Sequence, residues 1–324
     1  MNTRSIDAAT LEALSTRLGP VHARQRLGIE DEKNRQVLLG RGANFLHLEH
    51  SSAVAGVIRG LLRLSGMYSR GRRNALALDV REPEFHLPRL PKAFDGFRIL
   101  HLSDLHLDMS PDAVPAVIER VRALDYDLCV LTGDYRARTH GAIEDAVDGM
   151  RRLRTHLRDP VYAVLGNHDS IRMVPAFEAM GIRMLLNEAA VLQREGAALH
   201  LVGVDDAHYF RMDNIEKAVA GLPEAAPAIL LSHTPEIYRQ ATHAGFDLFL
   251  CGHTHGGQIC LPGGVPVILE ARIPRRLGRG AWRHGDMQGY TSTGAGTSIV
   301  DVRFNCPGEI TVHRLRAGRA PGRQ

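Results

Sequence analysis

The chain has 324 residues, 44% of them hydrophobic and 23% charged, with a formal net charge of +4. That makes it an ordinary globular chain with room for one large α/β domain and an appendage. The charge suits an anionic partner but is too modest to name one, and no nucleic acid is expected.

Residues 1–40 carry no basic-then-apolar signal sequence. They read as two polar helices: Leu11, Leu14 and Leu18 recur at helical spacing before Gly19-Pro20, and Glu30, Asp31, Glu32 and Lys33 charge the second. A helical docking element and a flexible tail are the two readings of this stretch. In residues 43–80, Val54, Val57, Ile58, Leu61 and Leu62 fall on one helical face, with Arg59, Arg63, Arg70, Arg72 and Arg73 in the same region. The stretch is too short to span a bilayer, which needs about 20 apolar residues. Residues 53–73 fit an amphipathic helix lying in an anionic membrane surface, or a helix packed on the domain that follows with a solvated Arg face. Pro83, Pro88 and Pro91 mark 81–93 as an extended linker.

The main α/β domain begins near residue 94. Apolar runs at 98–102, 128–131, 161–165, 228–231 and 246–251 are short, rich in Val, Ile, Leu and Phe, and followed by polar clusters. Buried strands entering loops read this way. Residues 112–124 form a helix capped by Asp112, with Pro115 in its first turn, so 98–133 is a βαβ unit. Residues 142–157, 175–180, 213–220 and 235–244 are further helices, and 199–206 is a strand ending in Asp205-Asp206, a turn or a support for the site. Residues 262–290, rich in Gly, Pro and Arg and holding Trp282, read as a lid whose Arg272, Arg275, Arg276 and Arg279 meet an anionic substrate or membrane, or as a solvated loop. Residues 290–315 alternate as late strands, and 316–324 are a disordered tail. The four cysteines, Cys129, Cys251, Cys260 and Cys306, lack paired metal spacing and read as buried free thiols in a reducing compartment.

The polar clusters are Asp104-Leu105-His106, Gly133-Asp134, Gly166-Asn167-His168-Asp169, Ser232-His233 and Gly252-His253-Thr254-His255. In layered α/β folds the loops beyond strand ends converge on one rim. Imidazoles, carboxylates and an amide together suit manganese, iron or zinc better than calcium. Two such ions about 3.5–4 Å apart can clamp a phosphoryl group and activate water. Asp104 and His106, like His253 and His255, are two residues apart, a spacing that points both the same way in a pleated strand. Arg136, Arg138 and His140 follow Asp134 directly and are candidate grips for phosphate or pyrophosphate oxygens, with solvated loop charges as the alternative. His22, His47, His101, His200 and His313 read as structural.

In this order the five clusters resemble those of the calcineurin-like metallophosphoesterases, over about residues 94–315. Gly-His-Thr-His-Gly-Gly-Gln-Ile from Gly252 to Ile259, and the segment from Val302 to Ile310, are most similar to a bacterial branch. That branch holds membrane-associated phosphodiesterases and a UDP-2,3-diacylglucosamine pyrophosphatase of lipid A synthesis. The resemblance implies a four-layer αββα sandwich, here with an N-terminal helical extension over 1–80, and two divalent metal ions: manganese first, iron or zinc otherwise. It implies Asp104, His106 and His255 on one metal, Asn167, His233 and His253 on the other, and Asp134 bridging them. His168 would stand beside the leaving-group oxygen as proton donor or electrostatic helper. The implied reaction is attack of metal-bound hydroxide on a phosphodiester or pyrophosphate of a phosphorylated small molecule or lipid-linked substrate, UDP-2,3-diacylglucosamine being the sharpest specific expectation. A soluble nucleotide phosphodiesterase and an idle scaffold used for protein binding are the alternatives. The expected location is cytoplasmic, peripheral on the inner face of the membrane if the amphipathic stretch binds lipid. Many family members carry an acidic residue three places after the bridging Asp, where this chain has Ala137. A carboxylate orienting His168 is therefore expected elsewhere, with Asp169 as the candidate.

Overall fold

A computed structural model describes residues 8–38, 52–223 and 226–319. The part of the amphipathic stretch at 43–51, with His47, and the expected tail from 320 lie outside the described residues, as does the side chain of Val54. The first sheet runs in spatial order β1 (Asp79–Arg81), β15 (Glu309–Ala317), β3 (Arg98–Leu102), β4 (Leu128–Thr132), β5 (Val161–Val164) and β6 (Ile182–Met184), with β2 (Glu84–Leu87) also on β15. The second runs β13 (Gly280–His284), β14 (Met287–Thr291), β10 (Leu248–Cys251), β9 (Ala228–Leu231), β8 (Ala197–Gly203) and β7 (Glu188–Arg194). A hairpin of β11 (Cys260–Leu261) and β12 (Val265–Pro266) stands apart.

Strand alternation sends side chains to two different cores. Ile99, Leu128, Val130 and Val164 meet Leu201, Ile229, Leu231 and Leu250 between the sheets. Leu100, Leu102, Cys129 and Leu131 face outward, under α5 (Ala113–Val121), α6 (Glu144–Arg154) and α7 (Val174–Ala179). On the far side, Val202, Leu230, Phe249 and Cys251 lie beneath α8 (Ile215–Val219) and α9 (Tyr238–His243). The result is the αββα arrangement. Because β3, β4 and β5 run parallel, as do β9 and β10, their exits share an edge in each sheet.

The helices α1 (Ala8–Leu18) and α2 (Pro20–Leu38) take the docking reading: Leu14, Leu18, Ala23 and Leu27 are buried in the core over the first sheet. Several other expectations change. The stretch read as a linker from 81 forms β2, hydrogen-bonded parallel to β15. The expected tail likewise starts as strand, since β15 continues through Ala317. Asp112 does not cap α5; its carboxylate lies 2.8 Å from the Arg72 guanidinium. The 262–290 segment is only partly a loop, because β13 and β14 bury Trp282 against Phe249. Between β14 and β15 the chain is largely irregular, not a run of late strands. The four cysteines are free and buried, and burial pushes the Cys129 and Cys251 thiols up.

The helix α3 (Ser52–Leu64) divides the predicted apolar face. Ile58 and Leu62 pack on Val300, Val302 and Phe304, whereas Val57 and Leu61 are exposed. After it comes α4 (Tyr68–Leu76), whose Arg72 reaches Asp301 at 3.4 Å. Docking of α1 and α2 is testable by truncation: Leu14→Ala and Leu27→Ala, both at 0% exposed positions, should each cost about 2–5 kcal/mol in denaturant unfolding. The expected curve is one cooperative transition; a separate early transition for these helices would contradict their place in the core.

Candidate metal centre

The strands β3, β4 and β10 deliver their polar clusters on strained backbone. Asp104 (φ 51°), His106 (φ 40°), Asp134 (φ 56°), His253 (φ 71°) and His255 (φ 49°) all adopt left-handed backbone, which costs non-glycine residues of order 1–3 kcal/mol each. Pleat alternation therefore does not aim the paired residues, as their spacing suggested; β3 ends at Leu102 and β10 at Cys251. Close approach completes the rim. A Cβ on Gly252 would overlap Ser103 and Asp104, and one on Gly166 would overlap Asp134.

Two groups of ligand atoms result. Those of Asp104, His106 and His255 lie within 4.8 Å of one another, as do those of Asp134, His233 and His253. His106 Nε2 is 3.1 Å from His255 Nε2, and His255 Nε2 is 3.5 Å from Asp104 Oδ1. His233 Nε2 is 3.2 Å from Asp134 Oδ2 and 2.9 Å from Asn167 Oδ1. Asp134 Oδ2 is also 3.9 Å from His106 Nε2, so it lies between the groups. Carbonyls set the rings: Nδ1 of His106 bonds Arg136 O and Nδ1 of His233 bonds Thr132 O, both at 2.8 Å, leaving each Nε2 turned inward.

The donor chemistry fits divalent cations. His253 Nε2 is buried without a hydrogen-bond partner among the described residues, a cost that a cation would remove. Burial pushes His106 down to about 4 and holds His253 and His255 well below the imidazole range, so their lone pairs are free of protons. Burial also works against the charges of Asp134 and His233. Their mutual attraction prevails, holding the Asp134 carboxyl well below the usual range, with help from His168, and raising His233 to about 10. Asp104 is pushed up to about 6, mainly by burial.

The other expected site residues separate. Arg136 is no substrate grip: it is 3% exposed, and its guanidinium donates to the carbonyls of His168, Thr139, Gly141 and Ala142. It pins the loop instead. Arg138 is exposed, and His140 Nε2 lies 3.3 Å from the Tyr209 hydroxyl. Asp169 does not orient His168, because its carboxylate accepts backbone N–H bonds from Asp134, Tyr135 and Gly166. His168 has its Nδ1 3.3 Å from the Thr139 hydroxyl, its backbone N–H on Asp134 Oδ1 at 2.9 Å and its Nε2 3.9 Å from Asp134 Oδ2. Of the two acidic residues after β8, Asp206 makes a turn by accepting N–H bonds from Tyr209 and Phe210.

Three neighbours escaped the sequence reading. Thr139 sits between two residues that were singled out. His208 sets its ring 4.2 Å from that of His253, tilted by 47°, and bonds Glu236 at 3.0 Å. Arg303, fully buried, donates to the carbonyls of Thr293, Gly294 and Gly296 and lies 3.4 Å from His255 Nδ1. Its place in the segment from Val302 to Ile310 was the available signal.

Two mixed sheets thus share a rim at which two His/carboxylate groups meet. Residues 97–257 match the model of the calcineurin-like phosphoesterase family. The chain is 30% identical over 239 residues to the phosphodiesterase YaeI of Escherichia coli, covering 68% of this chain and 82% of that protein. It is 29% identical over 252 residues to the metallophosphoesterase YkoQ of Bacillus subtilis, covering 75% and 89%. A transmembrane protein with metallophosphoesterase domain from Danio rerio is 28% identical over 251 residues, covering 72% of this chain and 56% of that one. The chain belongs to the calcineurin-like phosphoesterases and is a metal-dependent phosphoesterase, and both groups offer donor sets able to hold a divalent cation.

A cation and the His233 proton compete for one cluster. Metal binding should therefore release a proton, and affinity at this group should rise about tenfold per pH unit between pH 6 and 9, below the His233 value of about 10. Calorimetric titration in buffers of different ionisation enthalpy measures both effects; affinity independent of pH would contradict the pairing.

Proposed function

We propose that the enzyme cleaves a phosphodiester or pyrophosphate bond in a lipid- or nucleotide-linked substrate, with UDP-2,3-diacylglucosamine as the specific candidate, at an anionic membrane surface on the cytoplasmic side. The paired ligand groups flanking Asp134 are the observation that carries it. In this reading Asp104, His106 and His255 hold one cation, Asn167, His233 and His253 the other, and Asp134 serves both. Manganese, or iron or zinc, would lower the pKa of water and balance charge on the phosphoryl oxygens.

The chain's own residues orient and protonate. Tethered through Nδ1, His106 and His233 keep Nε2 inward. Thr139 steadies His168, whose Nε2 lies on the Asp134 side, where it hands a proton to the departing oxygen or stabilises its charge. Arg138 and His140 reach the more distant oxygens of the substrate. The name of the relative YaeI favours diesters.

Where exposed apolar side chains gather favours the membrane. On and after α3, Val57 and Leu61 are each 62% exposed, Leu64 88% and Met67 42%. Leu261, Val265, Val267 and Ile268, in and after the β11–β12 hairpin, are also exposed. Both elements flank one segment, since Ile259 bridges Phe304, against whose cluster Ile58 and Leu62 pack. Arg63, Arg70 and Arg73 are exposed nearby, and each basic residue at an anionic surface contributes about 1 kcal/mol. No helix among the described residues is long and apolar enough to cross a membrane. A soluble nucleotide phosphodiesterase is the second reading, favoured by the engagement of Arg59 and Arg72 with Asp301. An idle scaffold has no support, because no member of the implied ligand set is replaced.

Manganese-dependent hydrolysis of a model diester should exceed that of the matching monoester, vanish in Asp134→Ala, and fall about 100-fold or more in kcat in His168→Ala. UDP-2,3-diacylglucosamine should be cleaved under the same conditions; monoester preference would overturn the diester reading. For the membrane, Leu61→Asp with Leu64→Asp should abolish flotation with phosphatidylglycerol vesicles, point changes being needed because deletion would remove core residues. Equal flotation of both forms would assign these residues to something other than lipid.

A further inference from the structure

Helix α2 presents four polar residues at three- and four-residue spacing, His22, Arg26, Glu30 and Lys33, so one side of it is charged along its length. That side does not face water. Arg26 is 0% exposed, its Nη2 donates to the carbonyl of Asp169 at 3.1 Å, its Nε lies 3.5 Å from Asp205 Oδ1, and its guanidinium stacks 3.4 Å from the centre of the Phe210 ring. Glu30, paired with Arg26, accepts from the Ser170 hydroxyl and the Ile171 N–H, both at 2.7 Å, and from Arg172 at 3.0 Å. His22 meets Asp205 at 2.8 Å, and Lys33 stands 3.6 Å over the Tyr209 ring.

These contacts tie together two loops. One carries Asn167 and His168 and ends at Ser170; the other runs from Asp205 to Phe210 and sets His208 against His253. Both flank the group of His233 and His253, whereas the contacts named reach neither Asp104, His106 nor His255. Leu27 and Ala23 already supply apolar packing for the helix. Packing alone gives no reason to bury an arginine and a glutamate, whose desolvation is unfavourable unless their geometry is well satisfied.

Resting on the reading of Asn167, His233 and His253 as a cation site, we propose that Arg26 and Glu30 are positioning residues for it: α2 holds the Asn167–His168 loop so that Asn167 Oδ1 stays 2.9 Å from His233 Nε2, and thereby sets the affinity of that group alone.

The test is manganese titration of the full chain, followed by the electron paramagnetic resonance signal of free Mn²⁺, in two backgrounds. In His106→Ala only the second group is complete; in His253→Ala only the first is. Glu30→Gln should weaken binding about 10- to 100-fold in the first background and leave the second within twofold. In the otherwise native chain it should lower kcat with little change in KM. Ser170→Ala, which removes one bond of Glu30 and keeps every charge, should weaken the second group about threefold, and carries the test if Glu30→Gln does not fold. Leu27→Ala, on the same helix, should lower the melting temperature without changing manganese affinity in either background. Equal affinities with and without Glu30→Gln, or equal weakening by Leu27→Ala, would overturn the positioning role. Absence of manganese binding in the His106→Ala chain would instead remove the cation site itself, and the proposal with it.

Discussion

An ionised carboxylate, Asp134, sits 1% exposed between two apolar sheets, and the rim is arranged to keep it so. Without water, such a charge persists only if neighbours replace its hydration. His233 and His106 approach it from the two ligand groups, and the backbone N–H of His168 bonds one of its oxygens. Beneath it a second carboxylate, Asp169, gathers the N–H groups of Asp134, Tyr135 and Gly166 and so fixes the loop that presents the first. Gly166 is glycine because the Asp134 carboxylate occupies the space of its Cβ. The loop after β5 and the glycine at 166 are shaped around that one charge.

Much of this was legible because it is local. A short apolar run closed by Gly, Ser or Asp marks a strand exit wherever it sits, and metal chemistry restricts the residue types that can follow. The five clusters could therefore be gathered from sequence before any geometry was known, whereas the two-sheet sandwich was implied by the family resemblance they carry. What escaped depends on which loop a side chain happens to meet. Arg136, two places after Asp134, looked free to bind phosphate, yet its guanidinium donates to three carbonyls of its own loop and to that of His168. Asp169 follows His168 yet turns beneath it. Two-residue spacing suggested a pleat where the backbone is left-handed at both members of each pair.

The N-terminal helices show the same boundary. Polar composition marks a helix as hydrophilic on average, and a solvated face is then the simplest reading. In this protein the polar side of α2 meets another polar surface, with Arg26 and Glu30 buried among Asp205, Ser170 and Phe210. Only the pairing of two distant segments reveals that. For α3, an apolar face five residues wide proved to be two narrower ones, Ile58 and Leu62 turned inward and Val57 and Leu61 outward.

The order of strands bears on how the chain is made. β15, the last strand described, lies between β1 and β3, pairing parallel with β1 and β2 and antiparallel with β3. During synthesis β3 to β6 can assemble as they emerge from the ribosome, and the second sheet after them. Throughout that interval β3 offers an open edge, and β1 and β2 have no partner strand. An unpaired edge of that kind invites pairing with other chains. The nascent protein thus has its longest exposure to misassociation just before residues 309–317 emerge.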